Sequence, residues 1–118
     1  MPLKPCKIII QRSGRVLASQ AKIAMDLRSR SVGLLNRTSL DDEEALLIYP
    51  CNSIHTFFMK FPIDVAFLDK NNKVVKIVAN IKPWRLESCH FIAKATLEMN
   101  HGSMAKNGLI VGDLLKIE

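Results

Sequence analysis

The chain has 118 residues, 48% of them hydrophobic and 24% charged, with five glycines and five prolines. That is the size of one ordinary domain, and the composition excludes a disordered, collagenous or low-complexity chain. The net charge of +6 is unevenly spread: residues 1–37 stand at +7, residues 38–69 at −5 and residues 70–118 at +4.

The N-terminal stretch has only a three-residue apolar run, Ile8-Ile9-Ile10, before a charge follows. A secretory signal needs roughly 7–15 apolar residues, and a spanning helix needs about 20, so neither is expected. Three widely spaced cysteines (Cys6, Cys51, Cys89) make no disulfide framework. Reduced thiols in a cytoplasmic protein are therefore the expectation.

Residues 6–11 read as a short apolar strand, turned at Ser13-Gly14 into a second strand at 16–18. Asp26 is a candidate N-cap, and Leu27, Leu34 and Leu35 behind it predict a short amphipathic helix over about 26–35. An acidic turn at 41–44 leads into a continuous apolar strand, 45–49, stopped by Pro50. Further strands are expected at 54–59 and 63–68. The turn Asp69-Lys70-Asn71-Asn72-Lys73 predicts a hairpin into 74–79. Another strand covers 94–99. Residues 102–108 read as one or two helical turns closed by Gly108, and Gly112-Asp113 turns the chain into a last strand at 114–117. The expectation is one domain, residues 1–118, of the α+β class: a mostly antiparallel curled β-sheet or small β-barrel with one or two short helices.

Several of these segments together resemble the family known as domain of unknown function 192. The likeness opens with Arg30-x-x-Gly33-Leu34-Leu35-x-Arg37-x-x-Leu40 and runs through the 45–50 strand to Phe57-Phe58-Met59-Lys60. It continues with Pro62-Ile63-Asp64-Val65-Ala66-Phe67-Leu68-Asp69 and closes with Thr96-Leu97-Glu98-Met99, Gly102 and Gly112-Asp113. It covers about residues 21–117. The resemblance implies a compact β-rich domain with no established activity. The link from Met59 to Pro62 is shorter than in many members, and His101 stands where a small residue is usual. Many relatives look exported, so the cytoplasmic expectation rests on this chain's own N-terminus.

The densest chemistry lies between Pro50 and Asp64. Cys51 and His55 are a thiol and an imidazole that a tight loop would bring together as a nucleophile pair. Along an extended strand they stand roughly 13 Å apart, on one face with Ser53 and Phe57. A metal reading would add a third ligand from Cys89, His90 or His101, but the spacing is not that of a zinc site. No metal and no cofactor is expected. Asp64 interrupts an apolar strand and is expected to be mostly buried, which would demand donors: Arg30 and Arg37 are the natural partners, or backbone N–H groups. Trp84 and Arg85, beside Pro83, offer a stacking surface and a cation.

Three functions fit these residues. The first is a non-catalytic binding module for a small polar or anionic ligand, or for a protein partner, built from Arg30, Arg37, Cys51, His55, Asp64, Trp84 and Arg85. The second is an enzyme of unknown reaction using His55 and Asp64, with Cys51 as a further participant. The third is a basic protein that binds nucleic acid or an anionic surface. For nucleic acid itself the sequence offers neither an Arg/Lys run nor an RNA-recognition or zinc-finger pattern.

Overall fold

In the computed structural model of the chain, residues 5–25, 37–57, 59–89 and 92–118 are described. The predicted first hairpin forms β1 (Pro5–Ile10) and β2 (Val16–Ala24). Gly14, at φ +73°, supplies the left-handed residue of its turn, where the Arg15 carbonyl accepts from the Ile10 N–H at 2.9 Å. The connection from β2 to β3 (Glu44–Ile48) includes residues 26–36, so the helix expected over 26–35 lies outside the described residues. β2 and β3 run parallel, which makes an otherwise antiparallel sheet a mixed one.

The predicted second hairpin joins β5 (Ile63–Leu68) to β6 (Val74–Ile81). Its turn is held by Asp69, whose Oδ1 accepts from the N–H of Asn71 at 2.8 Å and of Lys73 at 3.0 Å. β8 (Ala95–Asn100) lies between β3 and β5, antiparallel to both. A four-residue helix, α1 (Ser103–Lys106), follows β8, and β9 (Leu115–Ile117) pairs with β1. The strand order is β6-β5-β8-β3-β2-β1-β9.

This sheet is curled but open, which corrects the barrel alternative. Its two edges meet at one end, where Lys73 bridges Leu114, the Val74 N–H donates to the Asp113 carbonyl at 2.8 Å, and the Gly112 and Leu115 N–H groups donate to the Val74 and Asn72 carbonyls at 2.8 and 3.0 Å. β9 is three residues long and pairs with β1, touching the β5–β6 turn only through Leu115, so the rest of β6 remains an edge.

Two apolar cores divide the faces of the sheet. Inside the curl, Ile8, Ile10, Leu17, Leu47, Leu68, Leu97 and Met99 pack with Met104 of α1. On the outer side, Leu46, Ile48, Ile63, Val65 and Phe67 form a second core beneath Leu40, Ile54, Met59 and Phe61. Central β5 is therefore buried at every position. Such a strand reads as a continuous apolar run rather than an alternation.

The expected strand 54–59 is the main correction. It shortens to β4 (Ser53–His55), which leaves the large sheet and pairs antiparallel with β7 (Leu86–Ser88). An isolated two-stranded ribbon is marginal in water. This one is anchored by Ile54, which enters the second core, and by Lys76 of β6, whose Nζ donates to the Ser88 carbonyl at 2.9 Å.

Candidate binding site

The site is built on the β4–β7 ribbon. After β3, Pro50 ends the strand and the chain is pinned to the start of β8. The Cys51 N–H donates to the Lys94 carbonyl at 2.9 Å, and Thr96 Oγ1 donates to the Cys51 carbonyl at 3.2 Å. The Cys51 thiol donates to the Ser53 carbonyl at 3.0 Å and packs against the second core. With Pro50, Asn52, Ala93 and Lys94 it borders an open depression of about 250 Å³.

Within β4, alternation sends Ile54 inward and His55 out to solvent. The chain then turns at Thr56, which is fully buried. Thr56 Oγ1 donates to the Lys82 carbonyl at 2.6 Å and accepts from the Arg85 N–H at 2.8 Å. Its backbone carbonyl accepts from the Trp84 N–H at 3.0 Å. Four bonds at one residue, counting the Thr56 N–H to the Arg85 carbonyl, clamp the 82–85 loop onto the end of β4.

That clamp assembles an aromatic column. His55 and Phe57 stack at 5.0 Å between centroids, and Phe57 and Trp84 stack at 5.8 Å. Trp84 sits at φ +69° and is 56% exposed, and Leu86 beside it is 68% exposed. Arg85 is exposed at the same turn. Rings held on a surface this way offer a flat apolar contact with polar groups at its rim.

The predicted site residues separate into distinct places. His55, Trp84 and Arg85 come together. Cys51 belongs to the neighbouring depression, its thiol engaged with Ser53 rather than with His55, so the two do not share one face as alternation implied. Arg37 makes an exposed ion pair with Glu44 at 2.6 Å. β3, which Glu44 opens, lies three places from β6 in the sheet, roughly 14 Å at ordinary strand spacing. Arg30 lies outside the described residues, as does His90. Among the described residues no three His, Cys, Asp or Glu side chains converge as metal ligands.

Asp64 is fully buried, as its setting in an apolar strand suggested, and of the expected donors backbone N–H groups reach it while Arg37 pairs with Glu44 instead. Oδ1 accepts from the Asn80 N–H at 2.8 Å and Oδ2 from the Met104 N–H at 3.2 Å. It faces the inner core and α1, on the opposite side of the sheet from the ribbon that carries His55. Glu98 was not singled out for any role from sequence. It stands on β8 between Leu46 and Val65, and burial raises its carboxyl to about 7. Its one visible signal is a charge inside the apolar run Ala95–Met99.

The chain is similar in sequence and fold to several known proteins. A UPF0127 protein of Pyrococcus furiosus is 38% identical over 64 residues, 54% of each chain. One from Pyrococcus horikoshii is 59% identical over 34 residues, 29% of each. The matched stretches thus span about half or less of those relatives' length. A protein of unknown function from Novosphingobium aromaticivorans DSM 12444 superposes with a TM-score of 0.81 at 26% identity, covering 97% of this chain and 84% of that one. A chain from Sinorhizobium meliloti 1021 described as a candidate transcription regulator superposes with a TM-score of 0.88 at 20% identity, covering 99% and 96%; it shares the fold. The profile of DUF192, described as an uncharacterized ACR, matches residues 8–117, and the chain belongs to that family.

Proposed function

We propose that this domain is a non-catalytic binding module whose site is the surface formed by His55, Phe57, Trp84 and Arg85 on the β4–β7 ribbon. The observation that carries the reading is the exposed aromatic column, fixed from beneath by buried Thr56. Exposed rings are expensive to leave in water, and a loop clamped by four hydrogen bonds is preorganised to present them. A small polar ligand with one flat face fits that surface, with Arg85 supplying charge at the rim. The enzyme alternative needs His55 and Asp64 around one substrate atom. They lie on opposite sides of the sheet, and the Asp64 oxygens are held by backbone N–H groups.

Trp84, the single tryptophan, reports on its own site. Titration with a panel of nucleosides, amino acids and sugar phosphates should change its fluorescence for at least one class of compound. Phe57→Ala and Arg85→Ala should weaken that response, while Arg37→Ala should leave it unchanged. A response that survives Phe57→Ala and Arg85→Ala intact would place the binding elsewhere.

A further inference from the structure

The ribbon and the second core cover the outer side of β3, β5, β6 and β8 and reach Ala24 at the end of β2; among the described residues they leave β1, β9 and the rest of β2 uncovered. On those three strands the outward positions are read from the inward ones: Ile8, Ile10, Leu17, Ala21 and Leu115 enter the inner core. Lys7, Ile9, Val16, Lys22 and Lys116 therefore point outward, and Leu114 continues the same side ahead of β9. Ile9 is the cross-strand partner of both Val16 and Lys116, so aliphatic and cationic side chains alternate across one row. Val16 is 40% and Leu114 43% exposed. Lys73, bridged to Leu114, extends the row on the far edge.

No acidic residue occupies an outward position on these strands. Among the described residues the acids beside them are Glu118, bound to Lys116 at 3.2 Å, Glu44, which stands opposite Gln20 and is paired with Arg37 at 2.6 Å, and Glu43, which accepts from Ser19 at the rim. Beside the row stands the 108–114 loop, whose tip shows Ile110 and Val111 to solvent at 54% and 58% exposure. The loop is held rigidly. Asp113, turned inward, accepts from the Ile110 N–H at 2.9 Å and pairs with Arg12 at 2.7 Å.

We propose that this uncovered face of β1, β2 and β9, with the Ile110–Val111 tip, docks on an anionic phospholipid bilayer. Protection of a sheet edge accounts for Lys116, but not for two aliphatic residues on a loop. A protein partner is the poorer fit because interface cores are depleted of lysine, and this apolar surface is broken up by lysines. Nucleic acid would use the cations but leave Ile9, Val16, Ile110 and Val111 without a role, and no aromatic side chain stands in the row to stack on a base. A bilayer uses both: lysine heads reach the negative surface while their stems and the aliphatic tips enter the interface. This face is separate from the aromatic site, so either proposal can fail without the other.

The test is sedimentation of the full chain with vesicles of phosphatidylcholine alone and with 30% phosphatidylserine or phosphatidylglycerol, roughly a cellular anionic fraction. Binding should appear with the anionic vesicles and fall as salt rises. Lys7→Glu with Lys116→Glu should weaken it at least ~10-fold. Ile110→Ser with Val111→Ser should weaken it several-fold without changing the salt dependence. Lys60→Glu, off this face, should have little effect. If the double reversal lowers the melting temperature, Lys7→Gln with Lys116→Gln replaces it. Equal binding to neutral and anionic vesicles, no binding to either, or full binding by the variants would overturn the proposal. So would preferential binding of a DNA duplex that ignores the Ile110 and Val111 substitutions.

Discussion

Asp64 shows how a single carboxylate can organise a junction through backbone donors, with no ion pair to it among the described residues. Its two oxygens receive N–H groups from the end of β6, beside the register shift in the β5–β6 ladder, and from α1, whose Met104 otherwise packs into the inner core. Asn80, one of those donors, sits at φ +52°, a conformation that the carboxylate bond helps to hold. Asp64→Asn keeps one acceptor oxygen but turns an NH2 group toward the other backbone donor. The expected cost is about 1–3 kcal/mol, that of one buried donor left unsatisfied. An arginine partner would have implied a larger loss, about 3–5 kcal/mol, because a stranded buried cation is worse than a stranded amide. Urea unfolding of wild type and Asp64→Asn separates these cases, and unchanged stability would contradict both.

At the scale of elements, the ribbon is the part whose stability depends on one side chain. Thr56 Oγ1 links the Lys82 carbonyl to the Arg85 N–H, and nothing apolar can replace those bonds. Thr56→Val preserves shape but leaves both groups unpaired, at an expected cost of about 1–3 kcal/mol. The loss should be local: faster amide exchange at residues 84–86 and easier acrylamide quenching of Trp84, with the β5–β6 exchange pattern intact. Uniformly faster exchange across the large sheet would show that the ribbon is not a separable unit. The two hairpins were legible in sequence because their turn chemistry is local: Gly14 in one, and Asp69 capping its own loop in the other. The ribbon was not. Residues 54–59 carry the composition of a longer strand, and only the distant partners Lys82 and Arg85 stop it at Thr56. The same distance effect governs the site. His55, Trp84 and Arg85 were recognisable as useful chemistry, but their meeting depends on a left-handed Trp84 that no local pattern announces. Glu98 was hidden for a different reason: its importance comes from the two apolar strands beside it.

For the whole molecule, opposing carboxyl shifts set the pH at which the fold is most stable. Hydrogen bonds from Asn100, Lys106 and Ser103 lower the Asp42 carboxyl to about 2, and Arg12 lowers that of Asp113. Groups lowered by folding contribute stability that is present above their unfolded values, near 4, and is lost as pH falls through the folded values. Glu98 acts in the other direction. Folding raises it from 4.5 to about 7, so it is harmless below 4.5, and its cost grows between 4.5 and 7 as the unfolded chain releases the proton first. Flanked by Leu46 and Val65, its ionised form has apolar neighbours in place of water. Stability should therefore peak near pH 4–5 and decline toward neutrality, by roughly 2–3 kcal/mol for a shift of this size. Glu98→Gln should flatten the upper limb and melt higher than wild type at pH 8, while matching it near pH 4. Melting temperatures from pH 2 to 9 for the two proteins test the account. A wild-type maximum at pH 7 or above, or a Glu98→Gln variant that melts lower at pH 8, would mean that the Glu98 carboxylate is stabilised by the fold instead of opposed by it.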